Sequence, residues 1–253
     1  MTTTRDEPVS AHAPAMPLPV LMRQQWLDLS SVHWAVEADR VAPYLPPGTR
    51  PDVLRGKTYV GRLPFRMVSA GVSTGPAVPW LVIFMETNVR VYSVDSTGRR
   101  GVVFLSLDAD RLAVVLGART AFGLPYRWAA MSYTRTATPQ GDEHAYAMRL
   151  RWPPVGSRRT VASRMVVRDA GPLHADDDVE LATFVSARWG LHVQRWGRTW
   201  YIPNEHPPWP LHRAELLTLQ DQLVAVAGWP WLLDRKPDLV LYSPGVSFRF
   251  GRP

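Results

Sequence analysis

The sequence predicts a mainly β (α+β) domain, and three observations carry the prediction. Its 24 prolines and 17 glycines are spread along 253 residues, a pattern that favours many short strands joined by turns over long helices. The stretch Leu81–Val94, LVIFMETNVRVYSV, sorts its residue types with a period of two, as side chains on a strand do. After a turn at Asp95-Ser96-Thr97-Gly98, the apolar run Gly101–Leu107 folds back on it as a hairpin.

The other elements follow in order. Residues 1–19 are polar, proline-rich and aperiodic, and read as a disordered tail; residues 20–253 read as one domain, with no repeat and no linker. Leu21–Val36 is a first strand rich in aromatic residues. Glu37–Leu45 is a short helix stopped by Pro46-Pro47-Gly48. Val53–Val68 holds strand-like pieces broken at Gly61 and Pro64, and Ser69–Pro79 is a loop. Asp108 is placed to cap a helix from Asp110 to Gly117, and Gly123-Leu124-Pro125 makes a tight turn. Strands are expected at Arg127–Thr136, His144–Trp152 and Thr160–Arg168. Asp176-Asp177-Asp178 puts negative charge at the start of a helix through Phe184. Strands return over His192–Ile202, and the prolines of Asn204–Leu211 exclude regular structure there. Glu215–Val226 suits a strand or a short helix. The chain ends with Leu239–Tyr242, a turn at Ser243-Pro244-Gly245, and Val246–Phe250.

On the central strand one face carries Leu81, Ile83, Met85, Thr87, Val89 and Val91 and belongs in a core. The other carries Val82, Phe84, Glu86, Asn88, Arg90 and Tyr92. That face fits the wall of a half-sheltered cavity with Glu86 and Arg90 on it, or an ion pair on a sheet.

Composition removes several function classes. There is no cysteine, which excludes disulfides, thiolate metal sites and a thiol nucleophile. No stretch is long enough to span a membrane, and the N-terminus lacks the pattern of a secretory signal, so a cytoplasmic protein is expected. The net charge is +7, but the arginines are scattered, without a run or recognition helix for nucleic acid. No histidine–carboxylate spacing makes a zinc site, and nucleotide-binding glycine loops and a G-x-S-x-G elbow are absent. The expectation is a small-molecule ligand, no metal, no cofactor, no nucleic acid and no membrane, with a homo-oligomer left open.

Ordered motifs then point to a family. They are F-x-E-x-N-V-R-x-Y at Phe84–Tyr92, S-L-D-A at Ser106–Ala109, A-R-x-x-F-G-L-P-Y at Ala118–Tyr126, F-V-S-A-R-W at Phe184–Trp189, H-P-P-W at His206–Trp209 and Y-S-P-G-V at Tyr242–Val246. Together they resemble the uncharacterised YqjF-like family of the acetoacetate-decarboxylase-like superfamily. The resemblance implies a closed, mostly antiparallel β-barrel around a central cavity, with short helices outside. It also implies that Glu86 matches the cavity glutamate of the decarboxylases. Their Schiff-base lysine sits in a G-x-P-K-K turn; here the turn reads Gly123-Leu124-Pro125-Tyr126-Arg127. Arginine stays protonated and is a poor nucleophile, and the two lysines, Lys57 and Lys236, are remote in sequence.

The candidate catalytic residues are Glu86, as acid or base if its surroundings raise its pKa, Tyr126 as a proton donor, and His206 in its proline-stiffened loop. The candidate ligand-binding residues are Asn88, Arg90, Tyr92, Arg119 and Arg127. Each has a structural alternative: an ion pair for the arginines, loop fixing for His206, packing against the barrel wall for Tyr126, and satisfying neighbouring backbone groups for Asn88 and Tyr92. Trp26, Trp34, Trp128 and Trp209 are core or cavity wall. Two functions fit: an enzyme of lyase, dehydratase or cyclase type acting on a carbonyl- or carboxylate-bearing molecule without a Schiff base, or a non-catalytic ligand-binding barrel. A cavity glutamate with a strongly raised pKa favours the first, and a paired Glu86–Arg90 bridge the second.

Overall fold

The computed structural model describes residues 5–16, 19–72, 83–151 and 160–252. In chain order it forms β1 (Met22–Val36), α1 (Ala38–Val41), a 3-10 turn (Ala42–Tyr44), β2 (Thr49–Pro51), β3 (Thr58–Val72), β4 (Ile83–Asp95), β5 (Arg100–Ala109) and α2 (Leu112–Phe122). It continues with β6 (Tyr126–Thr136), β7 (Glu143–Leu150), β8 (Ala162–Pro172), α3 (Val179–Ser186), β9 (Gly190–Arg195), β10 (Arg198–Glu205), β11 (His212–Asp221), α4 (Leu223–Val226), a second 3-10 turn (Pro230–Asp234) and β12 (Leu239–Phe250). Leu81 and Val82 of the expected central strand, and Trp152 of a later one, lie outside the described residues. Residues 5–16 form neither helix nor strand; the Glu7 N–H donates to Gly98 O at 2.9 Å, and Trp189 Nε1 donates to Ser10 O at 3.2 Å.

The strands form one mostly antiparallel sheet, in which β4 lies between β3 and β5. Beyond β5 the sheet divides. One branch runs through β9 and β10, the other through β6, β7, β8 and β11, and each reaches β12, which pairs with β1. The first branch hangs on short ladders: Val102 opposite Leu191, then Asn204 and Glu205 opposite Phe250 and Arg249. β5 makes the parallel pairings, with β6 and with β9.

This division gives β4 two cores. Val89 and Val91 pack with Val32 and Trp34 of β1 and with Met165 and Val167 of β8. On the opposite face Phe84 packs with Trp26, Phe65 and Phe248, and Tyr92 with Phe184 and Leu191. The two-residue alternation therefore sorts side chains between two interiors. Ile83, at the strand's start, is 55 % exposed, although it shares a face with the core residues.

Several expected breaks are not breaks. β3 runs through Gly61 and Pro64, and β12 through Ser243-Pro244-Gly245. The reason lies in β1, where Asp28 adopts a left-handed φ of 48° and the register against β3 shifts between Leu27 and Val32. Pro64 falls in the span facing that shift. Pro244 stands between Ser243 and Gly245, the partners of Leu29 and Leu27. A bulge needs no ladder N–H from the strand facing it, so Pro64 fits there; against β12 the register is unbroken, and only the rung between Asp28 and Pro244 is missing. Gly61 is required for another reason: a Cβ there would lie 2.7 Å from the His33 ring.

Other boundaries also move. The helix expected over Glu37–Leu45 is a single turn followed by the 3-10 turn, and the Glu215–Val226 stretch divides into β11 and α4. Asp108 does not cap α2. Parallel pairing sets it directly opposite Arg127, which forks onto its buried carboxylate at 2.7 and 3.0 Å; the N-cap position of α2 is Arg111, which makes no side-chain cap. At α3 the acidic run does cap, with Asp178 accepting from the Leu181 N–H at 3.0 Å.

Candidate functional site

A cavity of about 90 Å³ opens beside the Glu86 face of β4, several times the ~10–15 Å³ that one water requires. Its walls are mostly apolar, built from Trp26, Met67, Phe104, Leu107 and Phe248 among others. Of the candidate residues, Glu86, Arg90, Tyr126 and His206 meet there. Asn88, Tyr92, Arg119 and Arg127 do not line it. Asn88 is fully buried, and its amide finds no hydrogen-bond partner among the described residues. Tyr92 donates to Val185 O at 3.1 Å, Arg119 donates to Tyr126 O at 3.0 Å, and Arg127 is held by Asp108. Trp26 and Trp209 are cavity wall; Trp34 belongs to the opposite core.

Glu86 is 2 % exposed and accepts a hydrogen bond from Tyr126 Oη at 2.7 Å. The residues are 40 apart in sequence; the parallel β5–β6 ladder, which sets Tyr126 opposite Leu107, brings them together. Burial pushes the Glu86 carboxyl up to about 8, helped by the Asp108 charge and opposed by the Tyr126 hydrogen bond. Desolvation dominates because neither guanidinium on the wall pairs with the carboxylate. Burial also pushes the Tyr126 hydroxyl well above its ordinary value, so near neutral pH the pair is a carboxylic acid and a phenol.

Glu86 and Arg90 do not pair. Four residues of strand separate their Cα atoms by about 13 Å, and the guanidinium turns the other way. Arg90 Nε donates to Tyr92 Oη at 3.3 Å and Nη2 to Val185 O at 2.9 Å. These are neutral acceptors, the latter in the last turn of α3, where a cation is favoured by the helix dipole.

His206 packs against Trp189 and Phe248, with ring centroids 4.4 and 4.5 Å apart. Pro207 O, which can only accept, lies 2.7 Å from Nδ1, so the proton sits on Nδ1 and Nε2 keeps a bare lone pair. Nε2 has no partner among the described residues, and burial lowers the ring to about 4. His206 is therefore a neutral acceptor at this site.

Arg188 also lines the cavity, and sequence reasoning did not single it out, although it sits in the F-V-S-A-R-W motif. It is 4 % exposed. Nε donates to Phe184 O at 2.7 Å and Nη1 pairs with the buried Asp52, which also pairs with Arg100. The Asn204 amide, oriented to donate to Arg188 O at 2.9 Å and accept from the Gly190 N–H at 3.1 Å, holds this segment. No cluster of histidines and carboxylates able to hold a metal occurs among the described residues. Lys57 pairs with Glu37 on the surface, and neither lysine lines the cavity. No helix among the described residues is long and apolar enough to cross a membrane.

The chain matches the DUF2071 family, described as "Uncharacterized conserved protein", over residues 23–247. It is 31 % identical to "Uncharacterized protein YqjF" of Bacillus subtilis over 196 residues, which is 77 % of this chain and 76 % of that one. Among solved structures it is similar to an acetoacetate decarboxylase-like enzyme from Sphingomonas wittichii (TM-score 0.61, 13 % identity, 92 % of each chain). It is also similar to the enduracididine biosynthesis enzyme MppR complexed with pyruvate (TM-score 0.57, 16 % identity, 93 % and 89 %). A third is the acetoacetate decarboxylase of Legionella pneumophila (TM-score 0.51, 14 % identity, 94 % and 88 %). At these identities the solved structures speak for the fold: a mostly β, acetoacetate-decarboxylase-like architecture.

Proposed function

This chain belongs to the DUF2071 family, and on that premise we propose that it is an enzyme for a small carbonyl-bearing metabolite, moving a proton with Glu86 and Tyr126 and forming no Schiff base. One observation carries the proposal: a buried carboxyl, open to a cavity, with a tyrosine hydroxyl at 2.7 Å and no cation on it. A carboxyl titrating at about 8 exchanges its proton near neutral pH, where general acid–base groups work best. Proton transfer beside a carbonyl is the step common to dehydration, cyclisation and lyase chemistry. The imine-free half is supported by the Tyr126-Arg127 pair at the turn and by the position of Lys57 away from the cavity. A similar fold holding pyruvate in MppR agrees with a small carbonyl-bearing ligand. The proposal takes the two branches of the sheet as one closed barrel around the site. A non-catalytic carrier needs no group of this kind, and the missing Glu86–Arg90 bridge counts against it.

The test follows hydrogen–deuterium exchange beside the carbonyl of small ketones and oxo acids in D₂O by proton NMR. The native protein should accelerate exchange of at least one of them, and Glu86→Gln should lower the rate about a hundredfold or more. Borohydride added with the same compounds should leave the protein mass unchanged. Equal rates in native protein and Glu86→Gln would refute the role of Glu86; an adduct on Lys57 or Lys236 would refute the imine-free half.

A further inference from the structure

The Arg90 end of the cavity is built differently from the Glu86 end. Two guanidiniums gather around the Tyr92 ring: Arg188 lies 4.7 Å and Arg90 5.6 Å from its centroid. Both are buried, at 4 % and 8 % exposure. Their partners do not balance their charge. Arg90 has two neutral acceptors. Arg188 has Asp52, but Asp52 is shared with Arg100. The α3 C-terminus adds roughly half a negative charge, so an excess of positive charge remains. Isolated buried charge is costly, and one donor is still unused: Arg188 Nη2 is buried with no hydrogen-bond partner among the described residues. Trp209 Nε1, on the same cavity wall, is a second unpartnered donor.

We infer that this end of the cavity is a carboxylate-binding subsite, in which Arg188 Nη2 and Arg90 hold an anionic group of the ligand and the Asp52–Arg100 pair holds Arg188 in place. A monoanion suits the charge: one carboxylate offsets the excess, whereas a phosphate dianion exceeds it. The subsite also constrains the ligand's length. Glu86 and Arg90 stand about 13 Å apart along the strand, and the Arg90 guanidinium leans further away, toward Tyr92 and Val185. Two hydrogen bonds of about 3 Å, one at each end, cover less than half of that span. The ligand class is therefore an oxo acid whose carboxylate is several bonds from its carbonyl, in contrast to pyruvate, where the two are adjacent. The spacing rests on the proposed role of Glu86; the carboxylate subsite does not.

The experiment titrates the native protein with pyruvate, 4-oxopentanoate, 5-oxohexanoate, uncharged 2-hexanone and inorganic phosphate, read by calorimetry and by intrinsic tryptophan fluorescence, to which Trp26 and Trp209 on the cavity wall contribute. The two longer acids should bind about tenfold or more tightly than pyruvate, 2-hexanone or phosphate. Arg188→Met should weaken the acids about tenfold and leave 2-hexanone unchanged. Because that change also strips Asp52 of a partner, Arg90→Gln serves as the second variant and should give the same pattern. Retained acid affinity in both variants, tighter binding of phosphate, or no saturable binding of either longer acid would overturn the subsite. Pyruvate binding as tightly as 5-oxohexanoate would overturn the spacing. Glu86→Gln, titrated in parallel, should still bind the acids. If it does so but proton exchange is unaltered, the function proposed for Glu86 fails and the subsite stands.

Discussion

The two faces of β4 bury charge in opposite ways. On the Val89 side, neighbouring β3 contributes Arg62, whose side chain is 1 % exposed. Its Nε lies 2.7 Å from Oδ2 of the fully buried Asp221, and its Nη2 donates to Ser163 Oγ at 2.7 Å. That cation has its carboxylate, and the surrounding side chains are packed core. On the Glu86 side, a carboxyl and two guanidiniums share a cavity wall without neutralising one another. Both arrangements come from the same sheet and comparable burial. A matched buried pair is explained by the fold alone, because its desolvation cost is offset inside the protein. Unmatched groups around an open volume have no such account, and the proposed ligand site rests on them.

The largest expected effect breaks the matched side. Arg62→Met leaves the buried Asp221 carboxylate with the Ser163 hydroxyl and the Val224 N–H but no cation, and should cost about 3–5 kcal/mol in denaturant unfolding; adding Asp221→Leu should recover much of it. If Arg62→Met costs no more than Arg90→Gln does, the contrast between the faces is wrong.

Next comes the pH dependence of Glu86. Its folded pKa, about 8, lies above the ordinary 4.5, so the folded state holds the proton more tightly. The group's contribution to stability is fully present below 4.5 and is lost as pH rises toward 8. Between pH 5 and pH 9 the native protein should lose on the order of a few kcal/mol relative to Glu86→Gln, which carries no charge at any pH. Parallel urea titrations of the two at both pH values check this, and a constant difference would mean that Glu86 is ionised throughout.

The smallest effect sharpens the unmatched side. The Tyr126 hydrogen bond lowers the Glu86 pKa against the pull of burial. Tyr126→Phe should therefore raise it further, at a stability cost of about 1 kcal/mol. Carboxyl infrared bands followed against pH, assigned by difference from Glu86→Gln, would show the shift; a downward shift would mean that the hydroxyl faces elsewhere.

Much of this protein was legible in its sequence because the relevant signals are local. The period-two alternation, the turn at Asp95–Gly98 and the acidic run before α3 depend on neighbours in the chain, and they marked strands, hairpin and cap. Glu86, Tyr126 and His206 could be named because their motifs are short and chemically distinct. What depended on partners distant in sequence could not be read. The left-handed Asp28 interrupts the ladders to β3 and β12, by a register shift at one and a missing rung at the other, so prolines that look like breaks lie within those strands. The parallel pairing of β5 with β6 turned Asp108 from an expected cap into the partner of Arg127, and it carried Tyr126 to Glu86. Arg188 and Asp52, 136 residues apart, form a pair only when α3 packs near β4. Local pattern sets which way a side chain points from its own strand; whether a charge meets its counter-charge, a carbonyl or an open cavity is decided by the elements that the folded sheet lays against it.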